Sequence, residues 1–166
     1  MSNVQLMRDL YEALHRGDVA WVLGVMDLDI EWREAEGNPY QPDGQAWHGP
    51  DAVVKNLFMR LASEWDGFTV HPWTFHEAGD AVVVEARYTG TFRATGRKLD
   101  AQVCHVWRIR DGKVRSFQQY ADTAQLQDVG RPPLSAADQP GLAASGEEEA
   151  AAGAQGGDDI GRSPVR

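Results

Sequence analysis

The feature that most constrains the fold is the dipeptide Asp111-Gly112, set between two β-prone runs, residues 104–110 and 113–121. A two-residue type I′ turn needs positive φ at both central positions, and Asp-Gly supplies it more readily than almost any other pair. The pattern predicts an antiparallel hairpin near the end of the aromatic-rich part of the chain. On its first strand Val103, His105, Trp107 and Ile109 share one face, and Cys104 lies on the other. The second strand closes on Tyr120 and Asp122, two residues apart and therefore on one face. A tyrosine and a carboxylate side by side at a strand end read as the wall of a pocket.

The rest of the chain supplies what would cover that wall. Over residues 3–15, Val4, Met7, Tyr11 and Leu14 recur at helical spacing, and Gly17 stops the helix. Asp18 is a suitable N-cap for a short second helix. Residues 29–36 alternate as a strand, with Ile30, Trp32 and Glu34 on one face. Residues 37–49 are loop by composition, with Tyr40, Trp47 and His48 adding rings. Gly49-Pro50-Asp51 opens a third helix, striped by Val53, Val54, Leu57, Phe58 and Leu61. Strands follow over 68–76, 81–92 and 98–110, and Pro72 marks the first of them as an edge or a bulged strand.

After Leu126 the aromatic residues have ended and Pro, Gly, Ala, Ser and acidic runs take over. Such a segment buries too little apolar area to offset its ordering entropy. The expected division is a domain over residues 1–126 and a disordered acidic tail over 127–166.

The formal net charge of -9 argues against nucleic acid or an anionic membrane as partner. The single cysteine, Cys104, excludes an internal disulfide, and no histidine or cysteine spacing reads as a metal site. There is no phosphate loop or dinucleotide fingerprint, so no cofactor is expected. The residues after Met1 lack the basic and apolar regions of a signal peptide, and no run reaches membrane-spanning length. The expectation is a cytoplasmic protein.

Helix, helix, strand, helix and then four antiparallel strands give an α+β fold, three helices packed on a strongly curved, mainly antiparallel sheet. The order and spacing of Ile30-Glu31-Trp32-Arg33-Glu34-Ala35-Glu36-Gly37-Asn38-Pro39-Tyr40, Gly49-Pro50, Gly79-Asp80-Ala81-Val82-Val83-Val84, His105-Val106-Trp107, Asp111-Gly112-Lys113 and Tyr120-Ala121-Asp122-Thr123 resemble the SnoaL-like, ketosteroid isomerase-related branch of the nuclear transport factor 2-like superfamily. The resemblance covers residues 4–126. It implies a cone around an apolar pocket, a homodimer formed through the outer sheet face, and a small apolar ligand. It also implies two classes of function. One is a cofactor-independent enzyme of isomerase, cyclase, dehydratase or epoxide hydrolase type. The other is a non-catalytic binding or interaction domain on the same scaffold.

Within that frame Asp122 matches the acid/base aspartate of the cyclases. A desolvated carboxylate there is suited to removing a proton α to a carbonyl, whereas the alternative is a strand-end cap or an ion pair with an arginine. His105 shares the inner face with Trp107 and either assists a carboxylate or is a hydrogen-bonded core residue. Glu34 stands on the strand that carries the isomerase aspartate, in a different local context; it is either an assisting acid or a mouth carboxylate bound to His105 or a loop amide. Trp32, Trp107, Tyr120, Phe58, Tyr11 and Tyr40 are the expected ligand-lining rings. No aspartate stands where the isomerase oxyanion pair would need one, since Asp100 falls on the opposite face from His105.

Overall fold

The structure is a computed structural model and describes residues 1–132. The segment 133–166, most of the expected acidic tail, lies outside the described residues. Helix α1 (Asn3–Arg16) starts at Ser2, whose hydroxyl accepts the Gln5 N–H at 3.1 Å, and ends at Gly17 with φ 71°. Its inner face buries Leu6, Met7, Leu10, Tyr11 and Ala13. Asp18 caps α2 (Val19–Val25) through the Trp21 N–H. Helix α3 covers residues 50–64 and opens with Pro50 after Gly49. Its middle, Val54–Phe58, is π-helical. That wider turn displaces side chains around the axis and is frequent at functional sites; here it carries Leu57 and Phe58 against the core.

Six strands form one curved sheet in the order β2-β1-β6-β5-β4-β3. They are β1 (Met26–Arg33), β2 (Trp47–His48), β3 (Trp65–Ala78), β4 (Ala81–Phe92), β5 (Lys98–Arg110) and β6 (Lys113–Ala121). Only the β1–β6 pairing is parallel. The expected α+β architecture, helices against a large, mainly antiparallel sheet, is the one found. Pro72 sits on the edge strand β3, next to a shift of register between Pro72 and Thr74, the kind of position where a residue without an N–H is tolerated.

Two expectations need correction. Four helices are present among the described residues rather than three, because Thr123–Gly130 forms a further helix, α4. The folded domain therefore runs past residue 126: Leu126 and Val129 pack with Trp65, Tyr88 and Leu99 in a second core cluster.

The hairpin forms at Asp111-Gly112, with φ of 52° and 71°. It does not continue in simple register. Ile109 pairs with Val114, but Arg108 pairs with Ser116, so Arg115 is an extra residue in β6. One inserted residue reverses which side chains face the core, because the strand's period is two. Beyond the bulge Phe117 stands opposite Trp107, Gln119 opposite His105, and Tyr120 opposite the outward Cys104. No helix among the described residues is long and apolar enough to cross a membrane.

Candidate functional site

Between the concave face of the sheet and the helices lies a cavity of about 410 Å³. Its apolar wall is a set of rings from five elements. Trp32 of β1 stacks on Phe117 of β6 with centroids 3.9 Å apart, and meets Trp107 and Phe58 edge-on at 5.7 and 6.1 Å. Tyr11 of α1 stands edge-on to Trp107 at 6.2 Å. Offset and edge-to-face contacts of this kind hold rings rigidly, so the wall is preformed.

The polar groups lie among these rings, with His105 edge-on to Trp107 and Phe117. His105 is buried between two phenols: Tyr11 Oη lies 2.5 Å from Nδ1 and Tyr88 Oη 2.6 Å from Nε2. Burial pushes the imidazole pKa down to about 3, so the ring is neutral at physiological pH. Burial likewise raises both phenols far above their ordinary value. Each phenolic oxygen accepts a further bond, Tyr11 from Trp107 Nε1 at 3.0 Å and Tyr88 from Gln119 Nε2 at 2.9 Å.

Gln119 is oriented without ambiguity. Its Oε1 accepts the Ala35 N–H at 3.2 Å and Asn38 Nδ2 at 2.9 Å, which leaves Nε2 for Tyr88. Asn38 is fixed in the same way, because its Oδ1 accepts the Tyr40 N–H at 2.9 Å. Asn38 Nδ2 also donates to Glu34 Oε2 at 2.9 Å, and Trp32 Nε1 donates to Glu34 Oε1 at 2.6 Å. One bonded chain thus joins Glu34, Asn38, Gln119, Tyr88, His105 and Tyr11. Glu34 is buried, and desolvation outweighs its donors, raising its pKa from 4.5 to about 7.

Tyr40 closes the rim. Its hydroxyl donates to Glu64 Oε2 at 2.7 Å and accepts from Trp65 Nε1 at 2.6 Å, while the Arg60 guanidinium lies 4.3 Å from its ring centroid. These contacts tie the 34–44 loop to the end of α3 and the start of β3. Among the described residues, no three histidine, cysteine or acidic side chains gather as a metal site.

Glu34, His105, Trp32, Trp107, Phe58, Tyr11 and Tyr40 all line the cavity. Tyr120 and Asp122 do not. Tyr120 is 59 % exposed, on the outer face where the bulge at Arg115 turns it. Asp122 is the N-cap of α4, accepting from Gln125 N at 3.2 Å and from Gln125 Nε2 at 2.9 Å. It holds the start of that helix and is absent from the cavity lining. Asp122→Ala should lower stability by about 1 kcal/mol in urea unfolding and leave ligand binding unchanged; a loss of binding would restore Asp122 to the site.

Sequence reasoning missed Tyr88, Gln119 and Asn38. The signal for Gln119 was present: Val114 and Phe117, both apolar, are three residues apart and cannot share one face of a regular strand.

Residues 7–117 match the family model described as the SnoaL-like domain. The chain belongs to the SnoaL-like family. A nuclear transport factor 2-like protein from Burkholderia thailandensis is 36 % identical, covering 80 % of this chain and 99 % of its own, with a TM-score of 0.74. A second such protein, of unknown function, from Burkholderia pseudomallei is 30 % identical over 78 % of this chain and 98 % of its own, TM-score 0.69. TerC, solved in co-crystals with polyporic acid, is 25 % identical over 76 % of this chain and 96 % of its own, TM-score 0.67. No match is found among curated proteins. Within this SnoaL-like domain the family match spans the residues that line the cavity except for Gln119 of β6 and Leu126 of α4.

Proposed function

We propose that this SnoaL-like domain binds a small, largely apolar molecule in the cavity and moves a proton on it, with Glu34 as the acid–base group. The observation that carries this reading is a carboxyl titrating at about 7 on the wall of an aromatic cavity. A group whose pKa matches the working pH both accepts and returns a proton readily. The neutral His105 and its two phenols add hydrogen-bond donors suited to an oxygen on which negative charge develops. The chemistry is proton abstraction next to a carbonyl, as in isomerisation, aldol-type cyclisation or dehydration. The co-crystal of TerC with polyporic acid supports a small organic occupant.

A non-catalytic binding domain is the second reading. It is favoured by the hold on Glu34, whose two carboxylate oxygens each already take a bond, from Trp32 and from Asn38. The two separate on one experiment. In D₂O, the protein should speed deuterium incorporation α to the carbonyl of bicyclic aryl ketones such as 2-tetralone, followed by NMR. Glu34→Gln should slow it by about 10²–10⁴-fold. Binding without exchange supports the second reading; neither binding nor exchange counts against both. We also propose a homodimer through the outer sheet face, where Tyr120 and Trp73 are exposed; a monomeric mass in solution rejects it.

A further inference from the structure

The protons around His105 can be counted, and the count specifies the ligand. A neutral imidazole carries one N–H and one bare nitrogen, and a phenol carries one donor and two acceptor sites. Three protons are available, one on His105 and one on each of Tyr11 and Tyr88, for the two contacts Tyr11···His105 and His105···Tyr88. One phenolic proton is therefore left over. If Nδ1 carries the proton, it donates to Tyr11, and Tyr88 donates to Nε2. Tyr11 already accepts from Trp107, so its oxygen is full and its O–H is free. Tyr88 then accepts only from Gln119 and keeps one acceptor site open. With the proton on Nε2 the assignment reverses: Tyr88 offers the free O–H and Tyr11 the open acceptor.

Both phenols line the cavity. In either tautomer the cavity presents one donor and one acceptor, on opposite flanks of one imidazole. We propose that the ligand carries the complementary pair, a carbonyl oxygen and a hydroxyl at opposite edges of one apolar ring system, and that the tautomer of His105 decides which end lies at Tyr11. This rests on the small-molecule reading above and names the class of molecule: a hydroxyaryl ketone or a hydroxyquinone. A ligand with two carbonyls leaves one of the two phenols mismatched, whereas a hydroxyl, which both donates and accepts, can meet either of them. Gln119 and Trp107 are positioning residues for this pair, because each fills one acceptor site of a phenol. Every buried side-chain nitrogen and oxygen among the described residues has at least one partner, so the unmet demand lies in this proton count rather than in an orphaned atom.

The test uses the full chain and four matched bicyclic probes: 6-hydroxy-1-tetralone, 6-methoxy-1-tetralone, 1-tetralone and 5,6,7,8-tetrahydro-2-naphthol. Quenching of tryptophan fluorescence gives the affinities, since Trp32 and Trp107 line the cavity. The hydroxyketone should bind at least about tenfold more tightly than each of the other three. Tyr11→Phe and Tyr88→Phe should each reduce that preference. Nitrogen-15 NMR of the wild-type imidazole, which needs no variant to fold, should show one protonated and one bare nitrogen at pH 7. Adding the hydroxyketone should change the balance of the two tautomers. Equal affinity for all four probes overturns the donor–acceptor pair while leaving the small-molecule reading intact. An imidazolium at pH 7 also overturns it, since both phenols would then be free donors. Failure of all four to bind overturns this inference and the reading beneath it.

Discussion

Trp107→Ala should destabilise the protein by about 3–5 kcal/mol in urea unfolding at pH 7, the usual range for emptying a large aromatic site. Trp107 is 2 % exposed and packs against Tyr11, Trp32, His105 and Phe117. Those four neighbours come from four different elements, so the space left behind cannot close by moving one of them. The substitution also removes the indole donor from the Tyr11 oxygen, which adds the cost of a buried polar group with one partner fewer. Met59→Ala is the control. Met59 is 62 % exposed on α3, away from the sheet, and should change stability by roughly 0.5 kcal/mol or less. A loss under about 1 kcal/mol for Trp107→Ala would mean that the rings do not form one packed wall.

The pH dependence of stability should change shape when Glu34 is replaced by Gln. The carboxyl titrates at about 7 in the fold and at 4.5 as an ordinary side chain, so the folded state holds the extra proton between those values. Its contribution is fully present below pH 4.5 and is lost as pH rises through 7, about 3 kcal/mol in all. His105 has the opposite sign. Its pKa falls from 6.5 to about 3 on folding, so its contribution is present above pH 6.5 and is lost as pH falls toward 3. Between pH 4.5 and 6.5 the two slopes oppose each other and nearly cancel in the wild type. In Glu34→Gln only the histidine slope remains, and stability should rise by about 1.4 kcal/mol per pH unit across that window. The slope is the readout, because a Gln amide that faces Asn38 also shifts the absolute level. Urea unfolding curves for the two proteins that run parallel from pH 4.5 to 7 would remove Glu34 as a group titrating near neutrality, and the proposed acid–base role with it.

Most of the cavity wall was legible in the sequence because it rests on local rules. Alternation put Ile30, Trp32 and Glu34 on one face, and all three are buried together. The same rule put Val103, His105, Trp107 and Ile109 inside on β5. Caps at Asp18, Gly17 and Gly49-Pro50 bounded the helices where expected. Tyr88 was missed for a different reason: β4 is apolar on its inner face, and nothing in the strand marks one tyrosine as facing a histidine 17 residues later.

The hairpin shows where local rules stop. The sequence alone determined that the chain turns at Asp111-Gly112, because the left-handed backbone there is a property of two residues. It did not determine which face of β6 looks inward. Val114 must be inward to pair with the buried Ile109 beside the turn. Phe117 must also be inward, because it lies between Trp107 of β5 and Trp32 of β1, both of which are buried. Positions three apart meet both demands only if one residue bulges out, and Arg115 does. The bulge sends Tyr120 to the surface, frees Asp122 to cap α4, and aims Gln119 at Tyr88. Turn chemistry acts within four residues, whereas the parity of β6 is fixed by two neighbouring strands, one of them more than 80 residues earlier in the chain, and only the assembled sheet brings those demands together.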